Sequence, residues 1–150
     1  MPRRYLDRPL WDEVLGLATE AGPVGQRLIS GMHQSIAALS RAGVNVVADH
    51  VLVEQEWLQE CVILLSVLPA LFVGVRCPLA VLEAREAARK DRTLGQARAQ
   101  FDLVHEHGIY DLEVDTSQLS AQACAQQIKE RIEEDRSPDA FKRLRQEMAA

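Results

Sequence analysis

Three short apolar runs, set apart by long helical patterns, constrain this chain more than any other feature. They are Val44-Asn-Val-Val-Ala-Asp49, Leu71-Phe-Val-Gly-Val-Arg76 and Tyr110-Asp-Leu-Glu-Val-Asp-Thr116. The first two are nearly continuous in apolar side chains, which is how a strand covered by helices on both faces reads. The third alternates from Leu112 onward. Strands separated by helices pair in parallel through right-handed crossovers. The expected class is α/β, with a doubly wound parallel sheet. In such sheets ligands sit beyond the carboxyl ends of the strands. Asp49, Arg76, Asp115 and Thr116 all fall at those ends, so one edge gathers the candidate chemistry.

Helical signals fill the intervals. Asp7 caps a first helix that carries Trp11, Val14, Leu15 and Ala18 on one face and stops at Gly22-Pro23. A second runs from Val24 through Leu28, Ile29, Met32, Ile36 and Leu39 to a stop at Gly43. A third covers about Glu54 to Leu68, ended by Pro69. Pro78 opens a fourth, through Leu79, Leu82 and Arg85. A fifth carries Ala97, Phe101 and Val104 and ends near Gly108. Ser120 caps a sixth with Ala123, Cys124, Ile128 and Ile132. Ser137-Pro138 caps a last, highly charged helix with Phe141, Leu144 and Met148, read as a charged helix or tail over 137–150.

The 150 residues are enough for one ordinary domain with a real core. A formal net charge of −5 gives no global attraction to nucleic acid or to an anionic membrane. Any anion site must be local, and the dense basic cluster is Arg85-Glu-Ala-Ala-Arg89-Lys-Asp-Arg92, extended by Arg98. The longest apolar run, Val62 to Val75, is broken by Ser66, Pro69 and Gly74 and is too short to span a bilayer. The first residues, Met-Pro-Arg-Arg-Tyr-Leu-Asp, lack the apolar centre of a secretion signal. Cys61, Cys77 and Cys124 lack metal-ligand spacing and read as buried free thiols in a reducing, cytoplasmic setting. His105-Glu-His107 places its imidazoles on different sides of a helix, which does not suit a metal pair.

Phosphoryl transfer needs cations over the moving group and a cradle of backbone N–H groups around the phosphates. The arginine cluster offers the first. The second would read G-x-x-x-x-G-K-[ST]. The lysines are Lys90, Lys129 and Lys142, and none follows a glycine.

From Trp11 to Thr116 the sequence resembles the chloramphenicol phosphotransferase family, small kinases of the P-loop fold. The runs that carry the likeness stand in the family's order. They are Ala42-Gly-Val-Asn-Val-Val-Ala-Asp49-His-Val-Leu, Leu71-Phe-Val-Gly-Val-Arg76-Cys-Pro and Glu83-Ala-Arg85-Glu-Ala-Ala-Arg89-Lys-Asp-Arg92, followed by Gln100-Phe-Asp-Leu-Val-His105 and Tyr110-Asp-Leu-Glu-Val-Asp-Thr116. The resemblance implies a three-layer, doubly wound sheet lacking its first two strands, an incomplete kinase domain over 1–136 and a lid at 85–95. It implies ATP-dependent O-phosphorylation of a small hydroxylated substrate, best known from chloramphenicol inactivation. Arg89 and Arg92 become the candidate catalytic cations, with Arg85, Asp115 and Thr116 on the nucleotide side. Asp49 becomes the acid that orders Mg²⁺ through water, although His50 stands where some relatives have a second acid.

In that family the phosphate loop and the general base precede the point where the match begins. The expectation is therefore a chain that does not bind ATP and Mg²⁺ productively and is inactive alone. Without the family's first strand, Val44–Asp49 and Leu71–Arg76 lose the neighbour they share. Either they pair directly, a partner fills the gap, or the fold is unstable. The alternative reading is a non-catalytic binding or assembly module that self-associates through its open sheet edges.

Overall fold

In the computed structural model, residues 22–89 and 94–149 are described. The expected first helix and Arg92 lie outside them. The order is α1 (Pro23–Arg41), α2 (Gln55–Leu65), β1 (Val73–Arg76), α3 (Leu79–Ala88), α4 (Gln96–Phe101), β2 (Leu112–Asp115), α5 (Ala121–Glu133) and α6 (Ala140–Glu147). The class is α/β. Among the described residues the sheet is β1 paired in parallel with β2, in the register Val73 to Leu112 through Arg76 to Asp115. The crossover through α3 and α4 is what lets the two strands run the same way.

The Val44–Asp49 run corrects the sequence reading. It is not a strand, and every residue in it is exposed. Val47 is fully so, at 102%. Neither direct pairing with β1 nor burial between helices occurs. Its composition suits a covered strand, but a strand exists only when a neighbour accepts its backbone bonds, and among the described residues none does.

The core lies between α2, α6 and the start of the sheet. Cys61, Val62, Phe141 and Leu144 are buried together, with Leu52, Leu58, Leu65, Ala70, Phe72 and Ile109 packed against them. The charged last helix thus contributes two core side chains. Its cap is not the expected Ser137-Pro138. Asp139 is the N-cap residue without a side-chain cap bond. The N–H groups of Asp139 and Ala140 donate instead to Asp111 Oδ1, at 2.7 and 3.1 Å. Asp111 Oδ2 accepts from Phe72 N–H at 2.9 Å, so one carboxylate joins the entries to β1 and β2 with the start of α6. By contrast Ser120 caps α5 as expected, accepting from Ala123 N–H at 3.2 Å. Gly43, at φ 80°, provides the left-handed stop after α1 that other residues adopt poorly.

Between α1 and α2 runs a line of polar side chains. Ser30 Oγ donates to Glu60 Oε1 at 2.6 Å, and Glu60 Oε2 meets His33 Nδ1 at 2.7 Å. His33 Nε2 faces His50 Nε2 at 2.9 Å, and His50 stacks on Trp57. Trp57 Nε1 donates to Gln26 on α1 at 2.8 Å. Burial, then the neighbouring His33, lowers the His50 pKa to about 4, against a weaker pull from Asp49. Burial opposes ionisation of Glu60, but the bonds from Ser30 and His33 outweigh it and hold its carboxyl below the usual range.

The thiols divide by burial. Cys61 and Cys124 are buried, as expected, but Cys77 at the end of β1 is partly exposed. Burial, aided by Glu60, pushes Cys61 up to about 12. At pH 8 about one such thiol in ten thousand is ionised, and the thiolate is the nucleophile. A thiol reagent applied to the native chain should therefore label Cys77 rapidly and leave Cys61 and Cys124 protected until the fold is unfolded. Mass mapping of the label checks this, and early modification of Cys61 would contradict the packing.

Candidate functional site at the carboxyl edge of the sheet

β1 and β2 end side by side at Arg76 and Asp115, and a pocket of about 370 Å³ opens there. It is lined by Arg76, Cys77, Pro78, Phe101, Asp102, His105 and Asp115. The chain leaves β2 through Thr116, whose N–H donates to Arg76 O at 2.9 Å. Its hydroxyl donates to the same oxygen at 3.2 Å.

Arg85, from the second half of α3, reaches across this edge. Its Nη1 donates to Thr116 Oγ1 at 3.0 Å and its Nη2 to Thr116 O at 2.7 Å. A guanidinium presents such a pair of donors in a fixed plane. Beside it, Asp115 Oδ1 accepts from the Ser117 hydroxyl and N–H, both at 2.7 Å. Those two bonds hold its carboxyl below the ordinary aspartate range. Three of the residues singled out from sequence, Arg85, Asp115 and Thr116, therefore meet. Arg89 is the exposed C-cap of α3. Asp49 is on the exposed 44–49 segment and does not line the pocket.

α3 and the start of α4 are tied together. Glu86 on α3 accepts from Gly95 N–H at 2.7 Å and from Ala97 N–H at 2.8 Å. It thereby caps α4, whose own N-cap, Gly95, has no side chain to do so. Glu83 pairs with Arg98 at 2.8 Å on the same two helices. Arg85 and Arg98 are both engaged with protein groups.

The pocket floor carries residues that the sequence reading did not place there. Phe101 is the last residue of α4 and His105 lies in the turns that follow, where the sequence reading carried the helix on to about Gly108. His105 Nδ1 lies 2.6 Å from Tyr110 Oη. Burial, then the nearby Arg76 charge, lowers its pKa despite a hydrogen bond to the Val75 backbone. The neutral ring is thus held by the Tyr110 hydroxyl and by the backbone of β1. Tyr110 lies so close to β1 that a Cβ on Gly74 would sit 2.8 Å from its ring. Arg76 pairs with Glu113 at 2.6 Å and lies 5.5 Å from the Tyr110 ring centre. Among the described residues no group of three or more His, Cys, Asp or Glu is placed to hold a metal. His105 and His107 both pack on Tyr110 instead.

The contacts of Arg85 with Thr116, beside Asp115, lie at the carboxyl edge of the strands, where α/β folds bind ligands. The family model described as "Chloramphenicol phosphotransferase-like protein" matches residues 6–133, and the chain belongs to that family. Two Mycobacterium tuberculosis proteins, from strains CDC 1551 and H37Rv, are each 30% identical to it over 124 residues. Each is named "Putative O-phosphotransferase", and the match covers 83% of this chain and 55% of theirs. The chain therefore spans about half the length of the curated relatives it matches. No solved structure matches it. Among the described residues no helix is long and apolar enough to cross a membrane.

Proposed function

We propose that this chain carries the lid and the nucleotide side of an ATP-dependent O-phosphotransferase acting on a small-molecule hydroxyl, and that these 150 residues alone do not turn over. The observation that carries the reading is the contact of Arg85 with both polar groups of Thr116 at the carboxyl edge. It fixes the root of the arginine lid beside Asp115 and the pocket. Arg89 and Arg92, next in the sequence, are the cations assigned to a transferring phosphate. Family membership supports the reaction class.

The residues present do not fit a complete ATP and Mg²⁺ site. The sequence has no Gly-Lys loop to surround the phosphates. The pocket adds two carboxylates, Asp102 and Asp115, which repel them. Asp49 stands away from the pocket, so no step of the reaction is assigned through the metal. ATP should accordingly bind weakly, with a Kd above about 1 mM, where a complete site would give far tighter binding. Titrating ATP with Mg²⁺ into the labelled chain should shift the amides of Asp115 to Gln118, and Arg85→Ala should abolish those shifts. Chloramphenicol phosphorylation should be absent. Shifts confined to other regions would overturn the assigned site, and robust turnover would overturn the inactivity.

The assembly reading has its own observation. Val44, Val46 and Val47 are exposed on a segment that is in no strand among the described residues, and Val75 on β1 is also exposed. Extended apolar edges recruit further strands. Sedimentation that shows concentration-dependent self-association would favour this second reading, and a monomer at all concentrations would remove it.

A further inference from the structure

Among the described residues, little holds the backbone of the residues from Asn45 to His50. Among the described residues no backbone–backbone hydrogen bond involves them; the nearest are Val44 N–H to Leu39 O and Val53 N–H to Val51 O. Their side chains are exposed except that of His50, which is half-buried. Such a stretch would ordinarily sample many conformations, because fixing each backbone residue costs about 1–2 kcal/mol of entropy.

His50 is the exception, and it is held from two helices. His33 of α1 meets it at 2.9 Å through facing Nε2 atoms. Trp57 of α2 stacks on it, with ring centres 5.6 Å apart and planes 27° from parallel. His33 is itself 2% exposed and is oriented from behind by Glu60, which Ser30 orients in turn. A carboxylate on one ring nitrogen fixes which face the other nitrogen presents. With Glu60 accepting a hydrogen bond from His33 Nδ1–H, His33 Nε2 accepts from His50 Nε2–H. We propose that Ser30, Glu60, His33 and His50 form a latch whose work is to set the position of the 44–50 segment on the α1–α2 pair. Buried polar chains of this kind contribute positional specificity more readily than net stability. The latch keeps the valine run at one place on the α1–α2 pair.

Backbone ¹⁵N relaxation on the 150-residue chain tests this. The wild-type order parameters at 44–50 should be near 0.85, the value for rigid backbone, and should fall below about 0.6 in His50→Ala. Glu60→Ala should loosen the same residues although Glu60 reaches them only through His33. His50→Gln, which keeps a donor for His33, should restore much of the order. Glu56→Ala, in the first turn of the same helix, serves as the control and should leave the segment unchanged. Amide protection in β1 and β2 reports whether each variant folds. Low order already in the wild type, unchanged order in His50→Ala and Glu60→Ala, or an equal loss at β2 would each overturn the proposal. The readout involves neither ATP nor transfer, so the latch and the proposed function fail separately.

Discussion

Asp111→Ala should lower stability by about 3 kcal/mol, read as a fall in the denaturation midpoint at unchanged slope. The carboxylate accepts three backbone N–H groups, those of Phe72, Asp139 and Ala140. Alanine leaves all three without an acceptor in a part-buried setting. Each such group costs about 1–3 kcal/mol when buried, and partial access to water puts these toward the low end. Asp111→Asn should cost less, about 1–2 kcal/mol, because one oxygen survives while the amide nitrogen faces a donor. Asp139→Ala provides the contrast. Its carboxylate caps nothing and makes a half-exposed pair with Arg143, worth at most a few tenths of a kcal/mol. If Asp139→Ala proves as damaging as Asp111→Ala, the cap in trans is misassigned.

Phe141→Ala should be at least as costly, at about 3–4 kcal/mol. Phe141 is 6% exposed and stacks on Phe72 with ring centres 4.6 Å apart. It fills the space between Val62 of α2 and the entry to β1, so truncation removes the aromatic contact and leaves a cavity that rigid neighbours on three elements cannot close. Against a total of about 5–15 kcal/mol, such a loss separates a folded chain from a partly unfolded one. Lys142→Ala, one residue on and exposed, should be nearly neutral. Chemical denaturation of the two variants side by side decides the matter. Equal stability would mean that α6 contributes nothing to the core.

Local chemistry made much of this fold legible. The span of α1, the stop at Gly43, the cap at Ser120 and the strands at β1 and β2 follow from periodicity, glycine freedom and short polar caps. So does the meeting of Arg76, Asp115 and Thr116 at one edge, because adjacent parallel strands must end together. The Val44–Asp49 run shows the boundary. Its pattern reports which surroundings it would suit, not whether a neighbour is there to pair with. Long-range partners were equally silent. Asp111 caps a helix 28 residues later, His33 meets His50 across 17, and Glu86 caps α4 from 9 and 11 residues before. A lone histidine inside the apolar face of α1 gave no sign of its mate. Phe101 and His105 joined the pocket only once the crossover folded back over the strand ends.

Because Glu86 takes the backbone donors of Gly95 and Ala97, the stretch between α3 and α4 starts and ends on anchored ground. Chain-entropy scaling then makes its length cheap to change, since doubling a loop costs only about 0.6 kcal/mol. Natural variation can therefore lengthen, shorten or recharge that stretch without disturbing either helix.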